Sequence, residues 1–262
     1  MPQLPLLVVV ALLGLAVGSF LNVVIYRVPR DESLIHPRSH CPACNTEVHN
    51  RHNVPVFGWL LLRGRCAACE SPISPRYPLV EAGTAVLFVA VAARFGFSWE
   101  LPAYLYLAAI SVALAAIDLD VMRLPDKIVL PSYAVSLLLI APAVIAERSW
   151  STAGRALLAA VVLYVVYFVL AMMPRGMGGG DLKLAPLLGF YLGWLGWSSV
   201  AIGAFAAFML GGLVAAVLMV LRRANRKSRI PFGPYMLAGA FLAVFAGAPI
   251  AQWYASLLVP TV

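Results

Sequence analysis

The sequence predicts an all-α polytopic membrane protein of about eight transmembrane helices, with a small cysteine-rich insertion between the first and the second. Of its 262 residues, 62% are hydrophobic and only 11% are charged, against about 25% charged in soluble domains. The apolar residues form runs of about 20, the length needed to cross a bilayer, whereas cysteine and histidine are concentrated in one segment. A single core shielded from water is therefore not expected.

Eight apolar runs are long enough to cross the lipid bilayer. Because lipid offers no partner for backbone N–H and C=O groups, each run is expected to be a helix. The first run has no small-residue cleavage pattern, so we expect it to remain as a span and not to be removed as a signal peptide. The sixth run is short and contains Pro186. The predicted spans are 4–26, 79–97, 101–117, 127–147, 153–173, 182–198, 200–221 and 232–258.

Lysine and arginine residues predict the orientation. The net charge is +8, but the basic residues are spread over short loops, which is typical of membrane topology, and no nucleic-acid partner is expected. With eight spans and both termini outside, sixteen basic residues fall in inner loops and three, Arg94, Arg148 and Arg155, fall outside. Omitting one span would distribute these residues over both sides. The segment 27–78 is therefore predicted to be cytoplasmic.

Four cysteines within this segment form two C-x2-C pairs separated by 21 residues. They are Cys41, Cys44, Cys66 and Cys69. Two such pairs can place four thiolates around a tetrahedral structural zinc ion, and a metal would stabilise an insertion too small to build a core. Two disulfides and a redox pair are the alternatives, and a cytoplasmic location disfavours the disulfides. We predict a zinc-ribbon-like site.

Two acidic segments lie at predicted membrane boundaries on the same side. Asp118 ends the third run, and Asp181 follows the glycines of GMGGGDLK at the start of the sixth. Ionisable residues at such places are costly and usually functional. A pair of carboxyl groups that shares one proton can hydrolyse a peptide bond. We predict that Asp118 and Asp181 form a catalytic pair, with Gly178 and Gly180 in an active-site loop that a substrate strand can approach.

Other polar residues of these segments carry weaker predictions. Asp120 and Asp126 are expected to be solvated and structural, and to lie near a positively charged substrate. Lys183 is as consistent with a topology anchor as with a catalytic residue. Glu81, near the start of the second span, is a candidate functional residue. Alternatives for the glycine-rich segment are a merely flexible loop and, for the aspartates, an ion or proton pathway in a transporter.

The chain resembles the bacterial type IV prepilin peptidases, also called prepilin leader peptidase/N-methyltransferases. The resemblance covers most of the length in the family's order. The matching segments are GSFLNVVIYRVPR, CPAC, NVPVFGWLLLRGRCAAC, ISPRYPLVE, DLDVMRLPD, GMGGGDLKL and IPFGPYMLAGA. Members of the family are inner-membrane aspartic proteases of the GxGD type. They remove the basic leader of prepilins and pseudopilins, for type IV pili and type II secretion, on the cytoplasmic side.

This resemblance implies that Asp118 and Asp181 are the catalytic pair and that the four cysteines form the cytoplasmic zinc-type site of the bifunctional members. It also implies methylation of the new N-terminus with S-adenosylmethionine, although the sequence has no G-x-G-x-x-G unit to indicate where this donor binds. A peptidase without methylation and a membrane scaffold are further alternatives. Gly58 departs from the family, in which a serine is expected. We predict three parts: 1–26, 27–78 and the protease core 79–262.

Overall fold

The computed structural model describes residues 3–173, 177–223, 228 and 230–258. Within this part of the chain the regular elements are helices, and extended pairing is limited to two isolated bridges, His40 with Glu47 and Arg65 with Pro72. The α-helices are α1 (Leu4–Arg27), α2 (Phe57–Leu61), α3 (Arg76–Phe95), α4 (Leu101–Val121), α5 (Asp126–Glu147), α6 (Trp150–Ala171), α7 (Gly179–Leu195), α8 (Trp197–Val220) and α9 (Gly233–Leu258).

Each predicted span corresponds to one long helix, which confirms the all-helical, multi-pass fold class. Among the described residues seven helices are long and apolar enough to cross a membrane, namely all the long ones except α7. That helix has 17 residues, or about 25 Å of rise, against a hydrocarbon thickness of about 30 Å. The count of eight spans therefore stays a prediction, as does the placement of both termini outside.

The chain divides into two compact units, residues 1–113 and 114–262, and the boundary falls within α4. In the first unit, α1 and α3 pack with their backbones close together. A Cβ atom added at Gly14 would lie 2.7 Å from the Ala85 Cα, and one added at Gly18 would lie 2.7 Å from the Glu81 Cα. Gly14 and Gly18 form a G-x3-G pattern, which allows such close approach between membrane helices.

In the second unit, α7 packs against α6 through another G-x3-G pair, Gly189 and Gly193. A Cβ atom at Gly189 would lie 2.6 Å from the Ala159 carbonyl oxygen, and one at Gly193 would lie 2.9 Å from the Ala156 Cα. Most side chains of α7 are buried, from Asp181 at its start to Trp194 near its end. This burial among other helices explains how a 17-residue helix carrying an aspartate is accommodated.

Candidate active site and metal centre

Asp118 lies in the last turn of α4, in the second unit, and its side chain is only 4% exposed. Its carboxylate accepts a hydrogen bond from the backbone N–H of Gly233, with 3.1 Å between nitrogen and Oδ2. Gly233 is the first residue of α9, so this N–H belongs to a helix N-terminus, where free N–H groups and the helix dipole favour an anion. The fold thus compensates the burial of a carboxylate at the end of α4.

Asp181 is the third residue of α7 and is 9% exposed. Gly178 is the N-cap of this helix, and a Cβ atom added there would lie 3.3 Å from the Asp181 Oδ2. The carboxylate of Asp181 thus lies against the N-cap of α7, where the helix dipole favours an anion. Each of the two aspartates therefore lies against the start of a helix.

The structure brings these two aspartates together. Asp118 and Asp181 are close enough for their carboxyl groups to interact electrostatically. Leu124, in the turn between α4 and α5, lies between the backbones that flank them: a Cβ atom added at Gly180 would lie 3.0 Å from the Leu124 Cβ, and one added at Gly233 would lie 3.2 Å from the Leu124 Cδ2. Three separate stretches of chain, around Leu124, Gly180 and Gly233, thus converge on the carboxylate pair.

The glycines of GMGGGDLK differ in what surrounds them. A Cβ atom at Gly178 would lie 3.3 Å from the Asp181 Oδ2, whereas one at Gly179 would meet nothing within 4 Å. Gly180 faces Leu124 at the tight distance given above. Gly176 lies outside the described residues. Gly178 and Gly180 are therefore closely packed, whereas Gly179 is not. That Gly178 and Gly180 form an active-site loop approached by the substrate stays a prediction.

A salt bridge joins the two segments that carry the aspartates. The Lys183 Nζ lies 2.8 Å from both carboxylate oxygens of Asp126, and the Tyr133 hydroxyl donates a hydrogen bond to the Lys183 carbonyl oxygen. Lys183 is two residues beyond Asp181, and Asp126 is the first residue of α5. Asp126 is half exposed, as expected of a solvated residue, but its charge is already paired with this lysine.

Sequence reasoning missed the contribution of Gly233. The apolar run 232–258 predicts the helix that Gly233 begins, but a backbone N–H leaves no signature in residue chemistry. The nearest available signal is the run Gly233-Pro234, since proline is common in the first turn of a helix.

The four cysteines lie in the first unit, in two turns of the same design. In one, the Cys41 N–H bonds to the Thr46 carbonyl and the Asn45 N–H bonds to the Cys41 carbonyl; Cys66, Ser71 and Glu70 repeat both bonds. Asn45 and Glu70, each four residues after the first cysteine, have φ near +58° and +57°. Each C-x2-C pair is therefore presented by a preformed backbone turn.

The sulfur atoms of the four cysteines lie within 4.8 Å of one another and form no disulfide. The Sγ atoms of Cys41 and Cys69 are 3.8 Å apart, which equals the edge of about 3.8 Å expected for a tetrahedron with metal–sulfur bonds of about 2.3 Å. Hydrogen bonding, chiefly to the Ser71 side chain, lowers the pKa of Cys41 to about 6. The donor set and its geometry fit a tetrahedral metal ion.

The departure at Gly58 has a structural cause. A Cβ atom added there would lie 2.1 Å from the His52 carbonyl oxygen, a distance that no real Cβ contact reaches. The neighbouring Trp59 donates its indole N–H to the Ile73 carbonyl oxygen at 3.0 Å. In this chain the insertion packs α2 directly on the backbone at His52, and a serine would not fit in its place.

Comparisons with known proteins show the family of this chain. A family model described as the bacterial peptidase A24 N-terminal domain matches residues 12–95, and the model of the type IV leader peptidase family matches residues 105–220. A prepilin leader peptidase/N-methyltransferase of Aeromonas hydrophila is 38% identical over 94% of this chain and 92% of its own length. Relatives of the same name from Pseudomonas aeruginosa and Neisseria gonorrhoeae are 33% and 36% identical, with coverage of 93% and 88% of this chain and of 91% and 87% of their own lengths. No solved structure matches.

Proposed function

Because this chain belongs to the type IV leader peptidase family, we propose that it is a membrane-embedded aspartic endopeptidase in which Asp118 and Asp181 are the catalytic pair. The observation that carries this assignment is the convergence of two buried carboxyl groups from α4 and α7, each against the start of a helix: Asp118 accepts a hydrogen bond from the Gly233 N–H, and Asp181 lies against the N-cap Gly178. Hydrolysis needs one ionised and one protonated carboxyl group at the same time.

In the proposed reaction, the ionised carboxylate removes a proton from a water molecule as the water oxygen attacks the scissile carbonyl carbon. The protonated carboxyl group donates a hydrogen bond to the carbonyl oxygen, where negative charge develops. The carboxyl group that took the proton from water then gives this proton to the leaving nitrogen as the C–N bond breaks, which restores one ionised and one protonated carboxyl group. The N–H group of Gly233 keeps the Asp118 side chain oriented, so that little reorganisation of this carboxyl group is needed during the reaction.

The substrate proposed from the relatives' names is a prepilin or pseudopilin, which presents a basic leader followed by an apolar helix. Carboxylates at the end of α4 and the start of α7 suit a cleavage site at the membrane boundary, because the substrate helix can remain in the lipid. The excess of basic residues in one set of loops supports a cytoplasmic location for the site, in the bacterial inner membrane.

A second activity, N-methylation of the new N-terminus, is proposed because the relatives carry it in their names. S-adenosylmethionine would supply the methyl group, and no residue of this chain is assigned to it. The metal proposed for the cysteine site is zinc, held by Cys41, Cys44, Cys66 and Cys69 as a structural ion, since four thiolate ligands leave no open position for catalysis. The oligomeric state is left open.

Two alternatives to a peptidase that also methylates are distinguished by what happens to an added prepilin. A peptidase without methylation would shorten a prepilin but transfer no label from the methyl donor. A transporter that uses the aspartates as an ion or proton pathway would leave the prepilin intact. Asp118 lies at the end of α4 and Asp181 at the start of α7, and helix ends lie near a membrane surface. A transport pathway through the bilayer would instead need acidic groups at the midplane.

The test uses purified protein in detergent with a prepilin substrate. We expect the shortened product with the unsubstituted protein and none with Asp118→Asn or Asp181→Asn. Glu147→Gln is the matched control, because Glu147 is an exposed acid at the far end of α5. Cleavage that survives both aspartate substitutions would overturn the proposed mechanism.

A further inference from the structure

Glu81 is a buried carboxylate that the peptidase chemistry does not use. It is the sixth residue of α3 and only 8% exposed. Its Oε2 accepts a hydrogen bond of 2.6 Å from the backbone N–H of Val56, in the insertion. Val56 has φ 62° and ψ −51°, a conformation that β-branched residues rarely adopt. The buried carboxylate thus secures a strained backbone immediately before α2.

This hydrogen bond places the start of α2 beside the membrane-spanning part of the first unit. Glu81 is five residues beyond the first residue of α3, or about 7 Å along the helix axis. Gly18 of α1 packs on the Glu81 backbone and lies nine residues before the end of α1, or about 13 Å from that end. The hydrogen bond therefore keeps the backbone just before α2 close to the start of α3.

One face of α2 is apolar and exposed. Phe57, Leu60 and Leu61 are 59%, 55% and 75% exposed, whereas Gly58, on the other face, is packed on His52. Two exposed arginines, Arg63 and Arg65, follow directly. An apolar face next to basic residues is the pattern of a segment that lies in the interface of an anionic membrane.

We propose that the segment 54–65 is a lipid-docking hairpin, whose α2 side chains enter the boundary between headgroups and acyl chains of anionic phospholipids. Interfacial helices bury their apolar face by about 5–10 Å, and the bond to Glu81 keeps α2 near the start of α3, a helix long and apolar enough to cross a membrane. Arg63 and Arg65 then lie at the level of the lipid phosphates. Glu81 is the residue that holds the hairpin beside the start of α3, and the proposal does not depend on the catalytic role of the aspartates.

The test uses a photoreactive residue, p-benzoylphenylalanine, introduced at Leu61 in protein reconstituted into nanodiscs of phosphatidylethanolamine and phosphatidylglycerol. Ile35 is the matched control, since it is an equally exposed apolar residue (78%) of the same insertion. After irradiation, mass spectrometry should find phospholipid adducts at position 61 and none at position 35. In the Leu61-labelled protein, Glu81→Ala should lose these adducts, whereas Glu81→Gln, which keeps a hydrogen-bond acceptor, should retain them.

Equal adduct yields at positions 61 and 35 would overturn the lipid assignment. A second result would also overturn the lipid assignment: position 61 forms adducts with an added prepilin but forms none with lipid when the prepilin is absent. The exposed face of α2 would then bind the apolar helix of the substrate. Retention of lipid adducts in Glu81→Ala, with metal content unchanged, would refute the positioning role of Glu81. Prepilin cleavage is measured in the same samples, so failure of the peptidase proposal is distinguished from failure of this one.

Discussion

Lys183 and Asp126 form a two-point salt bridge, with 2.8 Å from the lysine Nζ to each carboxylate oxygen. The salt bridge joins the start of α7, which carries Asp181, to the start of α5. A short connection links α5 to the end of α4, which carries Asp118. Both side chains are about half exposed, 45% and 53%, so the pair is expected to contribute less than about 1 kcal/mol to stability. We therefore expect the salt bridge to matter mainly because it positions the segments that carry Asp118 and Asp181.

We predict that Asp126→Asn and Lys183→Gln lower kcat for prepilin cleavage by about tenfold to a hundredfold with little change in KM, because small displacements of catalytic groups are costly. The reversed pair, Asp126→Lys with Lys183→Asp, should recover part of the loss, and Glu147→Gln is the control. Steady-state kinetics measure this. A change confined to KM would show that Asp126 acts on the substrate's charge instead.

Gly233 is predicted to tolerate no side chain. A Cβ atom at this position would lie 2.7 Å from the Asp118 Oδ2, so Gly233→Ala should displace the carboxylate and lower kcat by about a hundredfold. Gly212→Ala, on α8, is the matched control, since nothing lies within 4 Å of its added Cβ. Near-normal cleavage by Gly233→Ala would contradict the role given to this contact.

The neighbouring glycines at the start of α7 should respond differently to the same substitution. Gly180→Ala brings a methyl group to 3.0 Å from the Leu124 Cβ and is expected to lower cleavage by about tenfold, whereas Gly179→Ala meets open space and should retain activity. Both residues are helical, so a gain in helix propensity is common to the two variants. Equal activity of the pair would refute close packing against Leu124 as the reason.

The cysteine site is predicted to hold one metal ion per chain, as four thiolates require. Elemental analysis by mass spectrometry should find zinc in the purified protein and a loss of most of it in Cys66→Ser. His49→Ala should keep the metal, because the exposed histidines of the insertion are not needed as ligands. Metal retained in Cys66→Ser but lost in His49→Ala would show that the ligand set is wrong.

Much of the architecture follows from composition alone, because a run of about 20 apolar residues has few alternatives to a helix in lipid. The number of spans does not follow in the same way. The segment containing Pro186 folds as a 17-residue helix, and whether such a helix crosses the bilayer depends on which neighbours enclose it. The G-x3-G pairs that begin at Gly14 and Gly189 are a sequence signal of close helix packing.

For the candidate site, the side chains were easier to predict than their partners. Asp118 and Asp181 stand out because charge is rare in apolar surroundings. The hydrogen bond from the Gly233 N–H to Asp118 depends on where α9 begins, which residue types do not specify. Asp126 was expected to face a basic substrate leader, but it binds Lys183, which is 57 residues away in sequence. Pairs of this kind arise from tertiary packing alone.

The repeated cysteine turns have a mechanical consequence for the segment they enclose. Once a metal joins Cys44 to Cys66, the 21 residues between them, α2 included, become a closed ring whose ends can no longer diffuse apart. Ring closure removes conformational freedom before any contact with lipid or substrate is made. The metal ion would thus close the ends of this segment, while Glu81 holds the residue just before α2. Together they would restrict the motion of α2 relative to α3.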